Sequence, residues 1–278
     1  MTSDNTKVCL TIAGLDPSGG AGIIADIKTF EAFGCFATAA ISSLTFQNTT
    51  GVFGAVHSSA ETIRGQVEPI VNDFTISAIK TGMLPTREVI EETARLLRDH
   101  GLANLVVDPV VRSTSGFDLI DNQALRSLIE YLFPLADLIT PNVPEAERIS
   151  GVAIENEEDI VAAAGLMREM GARNVLIKGG HLKSGWLTGD RRQSKTSSPN
   201  AVDYLFTGSD LSKIVGEYHE TTATHGTGCT LSAAIVANLA LGRSLRDAVT
   251  ISKQFVNEAI RTAPNIGRGH SPINIKPI

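Results

Sequence analysis

Short β-branched segments alternate with longer amphipathic segments along most of this chain, and this alternation limits the folds that it can adopt. Residues 8–13, 76–80 and 105–108 have the composition of buried strands, and a segment with helical periodicity follows each of them. Thr86 is a suitable N-cap for the second of these helices, over 87–99. Parallel strands need a crossover connection of this kind, usually a helix. The pattern therefore predicts an α/β fold with a mostly parallel central sheet.

One polar segment interrupts the alternation. Residues 182–222 are rich in polar residues, Gly and Ser, and only 202–206 within them have the composition of a strand. A connection of this length is uncommon unless it serves function or lacks order. We predict a flexible β-hairpin or flap at about 182–222, inserted in a single domain that spans residues 1–278.

Charge and composition exclude several classes of protein. The chain carries 24 Lys and Arg against 30 Asp and Glu, a net charge of −6, and its basic residues form no cluster. A nucleic-acid surface needs clustered positive charge, so we expect no nucleic-acid partner. The apolar runs are too short to span a membrane, and the N-terminus lacks an apolar signal segment. Three scattered cysteines fit neither a disulfide framework nor a zinc site, so we expect a cytoplasmic protein with reduced thiols.

Residues 225–229, with the sequence His-Gly-Thr-Gly-Cys, run directly into an apolar helical segment. A helix that begins in this way leaves the backbone N–H groups of Gly226, Thr227 and Gly228 without helical acceptors, and the helix dipole adds partial positive charge. Such a site suits a phosphate or a phosphoryl group in transfer. Cys229 lies in the first turn, where the pKa of a thiol is expected to fall. The alternative is an ordinary Gly-rich helix start with a small buried cysteine.

A second glycine-rich segment follows the first predicted strand. Residues 14–22 contain four glycines, which let the backbone approach a ligand closely, and Asp26 comes shortly after them. A dinucleotide-binding fingerprint does not fit, because Ala25 occupies the position of its third glycine. For Asp26, a ligand contact and a solvated charge in the first turn of a helix are both open.

Gln47 follows the second predicted strand, at residues 37–46. A glutamine amide offers both a donor and an acceptor, which matches the amino group and ring nitrogen of a pyrimidine. The alternative is a loop residue whose hydrogen bonds are satisfied within the protein.

Oxygen-bearing side chains and a lysine follow later strands. Asp108 ends one strand, and Asn142 and Glu145 lie three residues apart at a junction between a strand and a helix. Carboxylate and amide oxygens suit Mg²⁺, which proteins usually share with substrate phosphates. Lys178 ends a further strand, where its ammonium group could meet a phosphate. The alternatives are helix capping for Asn142 and Glu145, and a lysine that reaches solvent at the rim of the sheet.

Other motifs of phosphate and acyl chemistry are absent from the sequence. It contains no Gly-x-x-x-x-Gly-Lys-Ser/Thr loop, which excludes a P-loop NTPase, and no Gly-x-Ser-x-Gly elbow, which argues against an α/β-hydrolase. The six histidines show no metal-ligand spacing. For His225, beside the predicted anion site, the simplest interpretation is a side chain that faces solvent.

Together, these motifs resemble those of the ribokinase-like superfamily and, within it, of the hydroxymethylpyrimidine and phosphomethylpyrimidine kinases of thiamine biosynthesis. The match spans roughly residues 8–262 in the order of the family, and it is specific in combination. Leu15 and the segment 183–222 depart from the family pattern. The segments that carry the resemblance are 11–14, 16–22, 25–29, 47–49, 80–84, 107–110, 140–142, 144–147, 178–181 and 225–232.

The resemblance implies a ribokinase-like three-layer α/β/α sandwich with a mostly parallel sheet and a small flap. It also implies ATP-dependent phosphorylation of 4-amino-5-hydroxymethyl-2-methylpyrimidine, and then of its monophosphate to the diphosphate. The resemblance further implies Mg²⁺ as cofactor, an optional monovalent cation and a homodimer. The implied pyrimidine contacts are Gly14, Ala21, Asp26, Gln47, Met83 and Val110. The implied phosphate and metal residues are Asp108, Asn142 and Glu145 for Mg²⁺, Asp108 and Lys178 for ATP, and Gly226, Thr227, Gly228 and Cys229 for the anion hole.

The two phosphorylation steps differ in what they ask of a base. The first acceptor is an alcohol, and Cys229 as a thiolate is the base candidate in the implied site. The second acceptor is a phosphate monoester with a second pKa of about 6, which is already ionised at neutral pH.

A pyridoxal or pyridoxine kinase is the nearest alternative, because its substrate is also a flat heteroaromatic ring with a hydroxymethyl group. Gln47 with Met83 favours the aminopyrimidine, and dual activity is open. An inactive ligand-binding protein on the same fold is a second alternative, against which Cys229, Asp108 and Glu145 argue. A sugar kinase fits less well, since no polar sugar-binding loops are recognisable.

Overall fold

The computed structural model describes residues 6–111, 119–179, 200–208 and 210–276. In these residues the strands are β1 (Val8–Leu15), β2 (Phe36–Asn48), β3 (Gly51–His57), β4 (Ile76–Thr81), β5 (Leu105–Val107), β6 (Leu138–Ile139), β7 (Asn174–Ile177), β8 (Asn200–Thr207) and β9 (Asp210–Glu217). The α-helices are α1 (Gly22–Ala32), α2 (Ala60–Asp73), α3 (Arg87–Asp99), α4 (Asn122–Ser127), α5 (Val143–Ser150), α6 (Glu157–Glu169), α7 (Thr227–Ala240) and α8 (Leu245–Arg261).

The described strands form one sheet in the order β3-β2-β1-β4-β5-β6-β7-β8-β9. The six strands from β2 to β7 in that order pair in parallel, whereas β3, β8 and β9 are antiparallel to their neighbours. The crossover connections between parallel strands are helical, which is why the alternating sequence pattern gives this topology. The predicted mostly parallel α/β sheet is confirmed.

Helices cover both faces of the sheet, and each face has its own apolar core. Leu10 and Ile12 of β1 belong to the cluster that includes Ile63 of α2 and other residues from α3, α5 and α6. Cys9, the residue before Leu10 in the strand, belongs to the opposite cluster with Val236 of α7. Because successive side chains of a strand face opposite ways, a strand buried on both faces reads as a continuous apolar run. The three-layer α/β/α arrangement is therefore as expected.

Helix starts follow their capping residues. The helix α3 covers the predicted residues, and the side chain of Thr86 accepts a hydrogen bond from the Val89 amide at 3.4 Å. Ser244 does the same for α8, since its hydroxyl accepts from the Asp247 amide at 3.2 Å. Among the described residues, no helix is both long and apolar enough to cross a membrane.

One strand was not expected from the sequence, whereas the predicted β-hairpin is present in part. The strand β3 lies at one edge of the sheet, and none of its side chains is fully buried, so it lacks the apolar pattern of an internal strand. The strand β9 lies at the other edge and pairs with β8, so this part of the predicted flap is a hairpin that extends the sheet. Residues 182–199 of the flap lie outside the described residues.

Candidate active site

A cavity of about 890 Å³ opens at the carboxyl ends of the parallel strands. Ligands bind at this end of the sheet in folds of this class. All but one of the predicted site residues line the cavity, and the exception is Asp26. The lining residues are Gly14, Ala21, Gln47, Met83, Asp108, Val110, Asn142, Glu145, Lys178, Gly226, Thr227, Gly228 and Cys229.

The helix α7 begins at a glycine with a left-handed backbone. Gly226 is its N-cap, with φ of 84°, and a Cβ at this position would collide with the carbonyl oxygen of Gly20. Both the conformation and the contact require glycine here. The turn at the start of α7 is therefore held directly against the glycine-rich segment that follows β1.

Two backbone amides of this turn are available to a ligand. The amide of Thr227 donates to the Thr224 carbonyl at 3.3 Å, whereas those of Gly228 and Cys229 have no acceptor in the described part of the chain. The ammonium group of Lys178 is close by, since a Cβ at Gly228 would lie 3.2 Å from its Nζ. Free amides, the helix dipole and an ammonium group thus meet at one point, as an anion site requires.

The thiol of Cys229 is partly exposed to the cavity, but its pKa is not lowered. Burial raises the pKa of Cys229 to about 11, the charges of Asp108 and Asp26 add to this, and Lys80 opposes it. The expectation that the helix start would lower this pKa is wrong, because desolvation outweighs the lowering by Lys80 and by the Gly22 amide.

Asp108 and Lys178 form an ion pair at the base of the cavity. Nζ of Lys178 donates to Oδ1 of Asp108 at 2.9 Å. The hydroxyls of Thr140 and Ser232 donate to the same carboxylate at 3.1 and 3.2 Å. Burial favours the neutral acid, but Lys178 and Lys80 hold the pKa of Asp108 below its usual value. The carboxylate is thus ionised and faces the predicted phosphate region.

Asn142 and Glu145 cap α5 in the manner that the alternative interpretation described. The Asn142 side chain accepts from the Glu145 amide at 2.9 Å, and the Glu145 carboxylate accepts from the Asn142 amide at 2.8 Å. Burial, which Lys178 offsets only in part, raises the pKa of Glu145 to about 7, and the charge of Asp108 adds to the rise. No group of three or more His, Cys, Asp or Glu side chains within the described ranges is arranged to hold a metal ion.

Asp26 lies behind the cavity wall and is fully buried, so it is neither a solvated charge nor a direct cavity residue. Its Oδ2 accepts from Nζ of Lys80 at 2.8 Å and from the Thr11 hydroxyl at 2.7 Å. Lys80 does line the cavity, and the sequence reasoning assigned it no role. The signal was present, since Lys80 ends a buried strand just as Lys178 does.

The predicted pyrimidine contacts that line the cavity are small or apolar except for Gln47, and we call this part of the cavity wall the acceptor slot. A Cβ at Gly14 would lie 3.2 Å from Sδ of Met83, so the absence of a side chain at Gly14 lets Met83 pack directly against the end of β1 in the cavity wall. The amide of Gln47 reaches the cavity and lies 3.2 Å from the Thr45 hydroxyl. The slot and the amide are suited to a planar heterocycle with polar edge groups.

His225 is buried, so the interpretation that it faces solvent is wrong. Its Nε2 lies 2.7 Å from Oδ2 of Asp16, in the glycine-rich segment after β1. Both side chains also contribute to the cavity wall.

A second buried ion pair lines the cavity near the flap hairpin. Lys253 of α8 donates to Asp203 of β8 at 2.7 Å, and the Gly179 amide donates to the same carboxylate at 2.9 Å. The sequence reasoning missed both residues. No local motif marks them, because 50 residues separate them in the chain.

The arrangement as a whole defines a class of protein. At the carboxyl ends of a mostly parallel sheet, one cavity brings together the acceptor slot, a helix N-terminus and a lysine. The ribokinase-like small-molecule kinases share this arrangement. The chain belongs to the phosphomethylpyrimidine kinase family, whose model matches residues 16–274.

Three relatives show the similarity in detail. The chain is 44% identical over 278 residues to a hydroxymethylpyrimidine/phosphomethylpyrimidine kinase from Haemophilus influenzae, with 97% of each covered. It is 42% identical over 265 residues, or 95% of its length, to 51% of a thiamine biosynthesis bifunctional protein from Geobacter sulfurreducens. The structure of the pyridoxal kinase from Staphylococcus aureus in complex with AMP-PCP and pyridoxal matches with a TM-score of 0.85 at 30% identity, covering 98% of this chain and 94% of that one.

Proposed function

We propose that this kinase transfers the terminal phosphate of ATP to 4-amino-5-hydroxymethyl-2-methylpyrimidine, and then phosphorylates the monophosphate to the diphosphate, in thiamine biosynthesis. The observation that carries the proposal is the free amide pair of Gly228 and Cys229, next to Lys178, in the same cavity that Gly14, Met83 and Gln47 line. This geometry supports in-line transfer between a phosphate on one side and a flat acceptor on the other.

The acceptor slot and the side-chain amide of Gln47 hold the acceptor. Gly14, Ala21, Met83 and Val110 line a slot for the ring, and Gln47 supplies a donor and an acceptor for the amino group and ring nitrogen. Asp26 cannot touch the ring from behind the wall, so we propose that it acts by fixing the ammonium group of Lys80.

The donor phosphates are held by charge. Lys178 and the free amides of Gly228 and Cys229 neutralise the group in transfer. A divalent metal accompanies ATP in kinases, and we propose Mg²⁺ here, which spreads the charge of the phosphates when bound. The buried carboxylates of Asp108 and Glu145 fit a hydrated ion, since they are hard oxygen donors that line the same cavity and lie 2.9 and 4.0 Å from Nζ of Lys178.

Asn142 supports this site in another way. Its side-chain oxygen already accepts a hydrogen bond from the Glu145 amide, so it holds Glu145 in place rather than offering a free ligand. A monovalent cation remains part of the proposal without assigned residues.

Cys229 is the proposed base for the alcohol step alone. Its thiol has a pKa of about 11 in the ligand-free protein, so the thiolate is a minor species at neutral pH. Phosphoryl transfer through a loose transition state asks for little proton removal before the new bond forms. The monophosphate step needs no base, because its acceptor is already an anion.

The second candidate function is a pyridoxal or pyridoxine kinase, alone or as a dual activity. The similarity to the pyridoxal kinase from Staphylococcus aureus favours it, whereas Gln47 favours the aminopyrimidine. A coupled ADP-release assay with the hydroxymethylpyrimidine, its monophosphate and pyridoxal in parallel tests the proposal. We expect turnover with both pyrimidines at a higher kcat/KM than with pyridoxal, and the reverse order would contradict the proposal.

We also propose a homodimer that works in the cytoplasm. Phe46, Phe53 and Val56 of the β2–β3 edge are 55%, 68% and 56% exposed, which is unusual for large apolar side chains grouped on one hairpin. A partner copy would cover them. The cytoplasm supplies the ATP and keeps the thiol of Cys229 reduced.

A further inference from the structure

Asp16 and His225 join the two halves of the cavity. Nε2 of His225 lies 2.7 Å from Oδ2 of Asp16, although 209 residues separate them in the chain. Their side chains are only 3% and 6% exposed. Asp16 belongs to the segment on the acceptor side, and His225 directly precedes the anion-binding turn. A buried hydrogen bond between side chains therefore connects the segments that hold acceptor and phosphate.

On the acceptor side, Asp16 organises its own segment. Its carboxylate accepts from the Ser18 amide at 2.8 Å, from the Ser18 hydroxyl at 2.7 Å and from the Ala21 amide at 3.0 Å. Although burial alone would raise it, the hydrogen bonds from His225 and Ser18 lower the pKa of Asp16 below its usual value. Because an ionised carboxylate only accepts, Nε2 of His225 carries the proton and donates it.

On the phosphate side, His225 and Gly226 leave little freedom. The His225 ring lies on Gly20, where a Cβ would collide with it, and Gly226 lies against the carbonyl oxygen of the same glycine. The His225 amide donates to the Ser271 carbonyl at 3.3 Å. The His225 ring is therefore one of the contacts that pack the anion-binding turn against the glycine-rich segment of the acceptor slot.

We propose that Asp16 and His225 are positioning residues for phosphoryl transfer, whose hydrogen bond holds the anion-binding turn in line with the acceptor slot. This inference rests on the proposed function. Neither residue needs to touch the reacting atoms. Their effect is on the alignment of the Gly228 and Cys229 amides with the group in transfer.

Loss of alignment has a recognisable kinetic signature. A displacement of about 1 Å can lower a rate about 10²-fold while the ligands remain bound. We therefore expect a fall in kcat without a matching change in KM for ATP or for the pyrimidine. Both phosphorylation steps should be affected alike, because both use the same turn.

The test compares four variants. His225→Leu removes the donor and keeps an apolar side chain of similar reach, whereas His225→Gln restores an N–H group near the position of Nε2. Asp16→Asn removes the charge with no change of size. His57→Leu is the matched control, because His57 also makes a side-chain hydrogen bond but does not line the cavity. Its Nδ1 lies 2.8 Å from the Ser43 hydroxyl.

Steady-state kinetics for each step gives the readout, with thermal unfolding to check the fold. In His225→Leu we expect kcat to fall about 10–100-fold, with each KM within about 3-fold of the original enzyme. In His225→Gln we expect kcat to recover to within about 5-fold of the original value. In His57→Leu we expect no loss of kcat. If His225→Leu does not fold, Asp16→Asn must show the same loss of kcat at constant KM.

Three results would overturn the inference. They are an unchanged kcat in His225→Leu or in Asp16→Asn, a His225→Gln enzyme as slow as His225→Leu, and a rise in KM for ATP that accounts for the whole defect. The proposed function fails separately, through an unsubstituted enzyme that phosphorylates neither pyrimidine.

Discussion

Nζ of Lys80 lies 2.8 Å from Oδ2 of Asp26, and neither side chain is exposed to solvent. Oδ1 of Asp26 has no hydrogen-bond partner in the described part of the chain. Two charges so deeply buried are tolerable only together, since desolvation costs each of them several kcal/mol. The pair therefore fixes an ammonium group at the wall of the active-site cavity, with Asp26 as its anchor.

Removal of one partner should destabilise the protein strongly. We expect Lys80→Met to lower the free energy of unfolding by about 3–5 kcal/mol, because the buried Asp26 loses its counter-ion and must either stay charged without compensation or take up a proton. The double variant Asp26→Leu/Lys80→Met should recover most of the loss. Urea unfolding followed by circular dichroism measures both. A Lys80→Met protein as stable as the original would show that the pair is not buried as described.

Substitution of Cys229 should separate the two chemical steps. If its sulfur takes the proton of the alcohol, Cys229→Ala and Cys229→Ser should slow phosphorylation of the hydroxymethylpyrimidine about 10²-fold. Phosphorylation of the monophosphate should slow far less, because that acceptor is already ionised. Single-turnover rates of the two reactions provide the comparison. Equal losses in both would leave Cys229 a substrate contact and not a base.

The reactivity of Cys229 should rise late with pH. Burial raises its pKa to about 11, above the ordinary value of 9.0, so the thiol stays protonated at neutral pH and ionises only as the pH rises towards 11. Alkylation by iodoacetamide should therefore accelerate about tenfold per pH unit up to that range. The Cys229→Ala variant corrects for Cys9 and Cys35, which are buried. A midpoint at or below about 8.5 would contradict this assignment.

Substitution of Lys178 should lower the activity with ATP and not only the stability of the fold. Its loss removes a charged hydrogen-bond donor to the phosphates, and we expect Lys178→Met to lower kcat/KM for ATP about 10–100-fold. Lys213→Met is a suitable control, because Lys213 pairs with Glu157 on the surface and does not line the cavity. Initial rates at varied ATP decide the matter, and equal kinetics in the two variants would remove Lys178 from the site.

The sequence was most informative where a local pattern has one physical meaning. Alternating segments predicted the parallel sheet, Thr86 predicted the start of α3, and the Gly-Thr-Gly turn predicted an anion site at the start of α7. Each of these depends on residues close together in the chain. The edge strand β3 was missed because its half-exposed side chains carry no such pattern.

Burial and distant partners could not be read from the chain. Asp26 was consistent with a ligand contact or a solvated charge, and only its partner 54 residues away shows that it is buried behind the wall. The pKa of Cys229 was predicted in the wrong direction for the same reason, since the helix dipole is local and desolvation is not. His225 likewise lacked any sign in the sequence that it meets Asp16.

The central claim is that the amides of Gly228 and Cys229 hold the phosphoryl group in transfer. A crystal structure with Mg²⁺, ADP, aluminium fluoride and the hydroxymethylpyrimidine tests it most directly. We expect the aluminium fluoride, planar or with octahedral aluminium, to lie between ADP and the acceptor oxygen. Its fluorine atoms should lie about 2.7–3.1 Å from both amide nitrogens. A fluoride bound elsewhere in the cavity, with these two amides facing only water or protein, would contradict the claim.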